Sequence, residues 1–146
     1  MSATRRCVAR LKEANHLAKE SMGANPSALI IAGPGPLRDG LRALLSTMPQ
    51  IGSVRVVNNV GSALEMDVPA SPALVLLDAD MAVPRIWMTV RRVKSGWPQC
   101  RIIMLVSDVE QQVEAASAGA DVVLLQGLPA GRLVAAVVKL LPQPVL

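Results

Sequence analysis

Five short apolar runs set the terms for what this chain can fold into. They are Ala28–Ala32, Val54–Val57, Ala73–Leu77, Arg101–Val106 and Asp121–Leu125, each four to six residues long and rich in Val, Ile and Leu. Stretches such as ALVLL and RIIMLV are apolar without alternation, the pattern of strands covered on both faces. Such strands belong to a parallel sheet, and parallel neighbours need crossover connections, usually helices. The intervening segments carry the matching helical spacing. Leu37, Leu41, Leu44, Leu45 and Met48 fall on one face of the first, and Leu133, Val137, Leu140 and Leu141 on one face of the last. Val60–Val68, Pro84–Lys94 and Val109–Ala118 read as three more helices. The expected fold class is α/β: a doubly wound, five-stranded parallel sheet of (βα)5 order with right-handed crossovers.

At 146 residues the chain has the size of one domain. It is 51% hydrophobic with two Trp and no Phe or Tyr, so its core must be aliphatic. The net charge of +4 is unevenly spread. Residues 1–26 hold Arg5, Arg6, Arg10, Lys12 and Lys19 against Glu13 and Glu20, so most of the excess lies there. This basic extension reads as helical over 2–22, with Val8, Leu11, Asn15, Ala18 and Met22 on a weak seam, and SMGANPS stops it. Residues 27–146 form the domain proper. The extension's charges read as a solvated face, and nucleic acid is not expected as a partner. No run approaches a membrane span and no signal peptide is evident, so a cytoplasmic, non-membrane protein is expected. Cys7 and Cys100 lack metal or disulfide spacing and read as ordinary thiols. His16 stands alone in the charged extension and reads as a surface residue.

Open parallel sheets place function in the loops beyond the carboxyl ends of their strands. Those positions are Gly33-Pro34, Asp78, Val106-Ser107 and Gln126. Around them the chain resembles a known family. PALVLLDADM resembles the third strand of a response-regulator receiver domain, ending in its phosphoacceptor Asp. SAGADVVLLQG resembles the receiver's Ala-Gly-Ala-Asp turn and fifth strand. GPLRDGLRALL resembles the first helix of receivers in the subfamily that carries helix-turn-helix outputs. The resemblance spans nearly all of residues 28–141 and implies the flavodoxin-like receiver fold.

It also implies a mechanism whose parts are mostly missing. Receivers are phosphorylated on the Asp matching Asp78, with Mg²⁺ neutralising the phosphoryl oxygens. The acidic pair that holds the metal is replaced by Gly33 and Pro34, and Asp80 alone does not complete a cage. The Lys that pairs with the phosphoryl group is replaced by Gln126, which brings no charge. The hydroxyl residue after the fourth strand aligns with Val106, with Ser107 one place on. The aromatic switch aligns with Val123. The expectation is a degenerate pseudo-receiver: not an enzyme, with no cofactor, acting in bacterial signal transduction through protein–protein interaction, possible homodimerisation included. The alternative is a working single-domain response regulator phosphorylated on Asp78 by a histidine kinase in a two-component phosphorelay, with Mg²⁺. A third reading is a small-ligand sensor using the vacated pocket between Gly33, Asp78, Ser107 and Gln126.

Other features read structurally. AGPGPLRDG lacks P-loop spacing, and Pro34 and Pro36 remove two amide donors, so it is a stiff turn into a helix. Ser107-Asp108 reads as a helix cap with Glu110. Arg85, Arg91, Arg92 and Lys94 accompany Trp87 and Trp97 around the third helix, a candidate partner surface in which Ile86, Val90 and Val93 face the sheet. The fourth-to-fifth-helix face and the segment 2–22 are further candidates, and Ala135, Ala136 and Val138 are placed for self-association. No linker or output domain is expected after LLPQPVL, so any output is expected to pass through another chain.

Overall fold

A computed structural model describes residues 26–65, 71–81, 85–127 and 129–141. Cys7, His16 and the helix expected over 2–22 lie outside them. The strands are β1 (Ser27–Ile31), β2 (Ser53–Val57), β3 (Leu74–Asp78), β4 (Arg101–Val106) and β5 (Val122–Leu125). The helices are α1 (Pro36–Ser46), α2 (Val60–Glu65), α3 (Ile86–Gly96), α4 (Val109–Ala118) and α5 (Ala130–Leu140), and a 3₁₀ turn covers Ala79–Met81. All pairings are parallel, in the order β2-β1-β3-β4-β5. This is the doubly wound arrangement expected from the continuous apolar runs.

Alternate side chains of each strand enter two separate cores. On one face, Ile31, Val75, Leu77, Ile102 and Met104 pack with Ala63, Val90, Val93 and Ala115 of α2, α3 and α4. On the other, Ile30, Leu74, Leu76 and Ile103 pack with Leu41 and Leu45 of α1 and Leu133 and Val137 of α5. The inner strands need no polar face because each is covered twice, which accounts for the unbroken apolar sequence.

Local chemistry fixes the helix ends. Gly35 precedes α1 at φ 150°, a conformation that disfavours a Cβ, and Pro36 supplies the preset φ of the first helical position. Gly119 ends α4 in the left-handed region at φ 103°, its N–H capping Ala115 and Ala116 carbonyls. Two residues on, Asp121 folds back onto β4. Its carboxylate accepts from the Ile102 amide at 2.7 Å and the Lys94 ammonium at 3.0 Å, and Lys94 also donates to the Cys100 carbonyl at 2.6 Å. The Ala-Gly-Ala-Asp turn is therefore a clasp joining α3, β4 and the edge strand β5.

Several expectations change here. Trp97 is 7% exposed and belongs to the core, because its indole continues the buried stripe of Ile86, Val90 and Val93 past the end of α3. It is not part of an outward patch. Lys94 is engaged by the clasp. Ala136 is buried at 8% and is unavailable for self-association, whereas Val138 of the same helix is exposed. Cys100 is buried, and the loss of solvation pushes its thiol above the ordinary value. No described helix is long and apolar enough to cross a membrane.

Candidate functional site

The carboxyl ends of β1, β3, β4 and β5 meet at one edge of the sheet. Register places Ile31 beside Leu77, Asp78 beside Leu105 and Val106 beside Leu125. Asp78 thus closes β3 at the centre of the edge, and its carboxylate oxygen Oδ1 accepts two hydrogen bonds. One comes from the backbone N–H of Asp80 at 3.0 Å, formed by the 3₁₀ turn, and the other from Gln126 Nε2 at 3.3 Å. Gln126 is carried there by the end of β5, its own N–H donating to the Val106 carbonyl at 2.8 Å. The structure brings Asp78, Asp80 and Gln126 together.

Burial pushes the Asp78 carboxyl above its ordinary value. The Asp80 N–H works against that rise, the Asp80 carboxylate adds to it, and the Gln126 amide draws it back slightly. No cation donates to either carboxylate among the described residues. An acceptor of phosphoryl groups needs positive charge aimed at the developing oxyanions. What surrounds Asp78 instead is a second negative charge and neutral amides.

Gly33 and Pro34 follow β1 and contribute no carboxylate. Asp39 sits in the first turn of α1, but its N–H serves the Gly35 carbonyl in the helix and no side-chain bond links it to Asp78. No group of three or more His, Cys, Asp and Glu side chains among the described residues could hold a metal ion. Mg²⁺ is usually held by one or two carboxylates with water in its other positions; here Asp78 Oδ1 is taken by the Asp80 and Gln126 donors, Gly33 and Pro34 add no carboxylate, and the described residues do not assemble an Mg²⁺ site. No step through that ion follows from this geometry.

Val106 is fully buried and points into the core shared with α3 and α4, so it offers nothing to the site. Ser107 lies at the exposed start of the loop. Its amide donates to Gln111 Oε1 at 2.7 Å, while the Gln111 amide nitrogen of the main chain donates to Asp108 Oδ1 at 2.8 Å. Asp108 is thus the cap, with Gln111 rather than Glu110 completing it. The Gln111 side-chain nitrogen also reaches Asp80 Oδ1, at 3.5 Å, the outer limit of a hydrogen bond. Gln111 is the site residue that sequence reasoning missed. A signal was present: a Gln three residues after an Asp cap is placed to reach back to the main chain ahead of the helix, as in a capping box, and here it takes the Ser107 amide one residue before the cap. Val123 lies partly buried against the first core, without any polar group.

An apolar cleft of about 590 Å³ runs between α1 and α5, walled by Leu37, Leu41, Leu44, Leu105 and Leu133. It shares only Gln126 with the pocket expected between Gly33, Asp78, Ser107 and Gln126.

Solved structures share this architecture. A LuxR-family two-component response regulator from Aurantimonas sp. SI85-9A1 superposes with a TM-score of 0.69 at 19% identity, covering 81% of this chain and 86% of that one. A LuxR-family DNA-binding response regulator from Silicibacter pomeroyi gives 0.65 at 24% identity, over 80% and 91%. The BeF3-activated DrrB receiver domain gives 0.69 at 20% identity, over 82% and 99%. No protein-family model matches the sequence, and no curated protein matches it. The fold is that of response-regulator receiver domains.

Proposed function

We propose that the chain is a receiver-like signalling module that works by protein–protein contact and without Mg²⁺-dependent phosphorylation of Asp78. One observation carries the reading. Asp78 keeps its place at the strand end, yet its partners are a backbone amide and the neutral Gln126, with Gly33 and Pro34 where the acidic pair would stand. The two cores are intact while the charged groups that run the chemistry are replaced, which separates fold from activity. Gln126 donates to Asp78 and ties the end of β5 to the end of β3, so the edge serves as a structural joint in a cytoplasmic, non-enzymatic module.

The test is exposure of the protein to a small-molecule phosphodonor with Mg²⁺, followed by intact-mass spectrometry under conditions that preserve acyl phosphates. The expected result is no phosphoryl adduct. An adduct lost in Asp78→Asn would replace this reading with the alternative, a phosphoacceptor served by a histidine kinase. The observation favouring that alternative is the position of Asp78 at the carboxyl end of the central strand β3.

A further inference from the structure

The outward side of α3 has an unusual composition. Trp87 and Met88 are 44% and 41% exposed, in a chain whose other aromatic residue, Trp97, is buried. An indole left half in water forgoes on the order of 2 kcal/mol of burial. At about 100° per residue, Trp87, Arg91, Ser95, Met88 and Arg92 follow one another around the helix within about 140°, and Arg85 stands just before its first residue. The three arginines are exposed, and none is ion-paired among the described residues, where the pairs formed are those of Asp121 with Lys94 and Arg101. The helix carries no Asp or Glu. Glu114 of α4 accepts from the Ile86 amide at the helix start.

Arg, Trp and Met are enriched where proteins meet, and acidic residues are depleted there. Arg91 already lies over the Trp87 ring, 5.4 Å from its centroid. That stacking holds the guanidinium extended before any partner arrives, so less rotamer freedom is lost on binding. Its planar edge stays free to take a carboxylate in two parallel bonds. We infer that the outward face of α3 docks an acidic protein segment, whose carboxylates meet Arg91 and Arg92 while an apolar side chain between them covers Trp87 and Met88. The inference rests on reading the chain as an interaction module and adds the place and the partner's chemistry. A phosphate backbone would satisfy the arginines but leave the Met88 surface uncovered, which favours a protein segment over nucleic acid.

The test is selection of random short peptides, displayed and sequenced, on the wild-type protein, on Arg91→Glu/Arg92→Glu and on Trp87→Ala. The charge-reversed variant should unfold at about the wild-type temperature, since both arginines are exposed, and Trp87→Ala only a few degrees below it, since its indole is half exposed. Wild type is expected to enrich peptides of net negative charge with an aromatic or aliphatic anchor. The best of them should bind about tenfold or more weakly to both variants, and raised salt should weaken it further. Enriched peptides without acidic bias, or retained equally by the charge-reversed variant, would overturn the α3 assignment and leave the interaction reading in place. A single-stranded oligonucleotide that binds wild type more tightly than the selected peptides would overturn the choice of partner. Phosphoryl transfer to Asp78, measured separately, bears on the functional reading alone.

Discussion

Replacing Asp121 by alanine should loosen the edge strand from its neighbour, and the cost is calculable from the clasp. The Ile102 amide is wholly buried and donates to this carboxylate at 2.7 Å, a charge-assisted bond whose loss orphans the donor. That is worth about 1.5–3 kcal/mol. The Lys94 pair, at 3.0 Å and with the lysine side chain 30% exposed, is screened by solvent; it adds at most about 1 kcal/mol. The Arg101 contact at 3.5 Å, with its side chain 56% exposed, adds nothing countable. The expected loss is about 3 kcal/mol, or roughly 10 °C in Tm for a domain of this size. Urea unfolding should show the midpoint fall with an unchanged slope. Asp121→Asn keeps an acceptor for Ile102 and should lose about half as much.

The pH dependence separates this account from simple loss of packing. Desolvation raises the Asp121 carboxyl, but the Ile102 amide, the Lys94 ammonium and Arg101 outweigh it and hold it below the ordinary 3.8. The stability it contributes is present in full above 3.8 and disappears as pH falls through the lower folded value. The gap between wild type and alanine variant should therefore be constant near neutrality and shrink in acid. A loss below about 0.5 kcal/mol, or a gap that does not shrink in acid, would refute the assignment of this bond as charge-assisted.

Three further outcomes follow from the same geometry. Gln111→Ala should cost about 1 kcal/mol through the lost Ser107 bond, read as a lower urea midpoint together with faster amide exchange at Ser107. Trp97→Ala should cost about 3–5 kcal/mol in urea unfolding and Trp87→Ala about 1–2, since one indole is buried and the other only about half so. Asp78→Asn should be neutral or stabilising near neutral pH, because a carboxyl raised by burial costs stability above its folded value and costs none below 3.8; the difference from wild type should close in acid, measured by unfolding across pH.

The strands were legible because being covered on both faces leaves a mark that few other structures leave. Each apolar run falls within a residue or so of a strand, from Ala28–Ala32 against Ser27–Ile31 to Asp121–Leu125 against Val122–Leu125. The interior faces of α3 and α5 were legible wherever spacing was followed to its end. Trp97 went astray because the pattern was stopped at Val93, although position 97 is one helical turn further along the same stripe. Ala136 went astray because small residues look alike whether they face the sheet or water. At the candidate site, Asp78, Asp80 and Gln126 could be grouped from strand ends alone. Gln111 could not be found that way, since it enters from the first turn of a helix by a capping bond. The departures at Gly33, Pro34 and Gln126 were visible because they are changes of charge. That the Asp80 main-chain amide and Gln126 both donate to Asp78 Oδ1 is a matter of three-dimensional geometry, which a one-dimensional pattern does not hold.

We propose that the edge around Asp78 does not bind a phosphoryl group. The most direct test is thermal unfolding of the wild-type protein and of Asp78→Asn, each with and without beryllofluoride and Mg²⁺, since a ligand bound only to the folded state must raise Tm. The account predicts no shift in either protein. A rise in wild type that is absent from Asp78→Asn would contradict it, and would mean that this edge binds the phosphoryl mimic in spite of Gly33, Pro34 and Gln126.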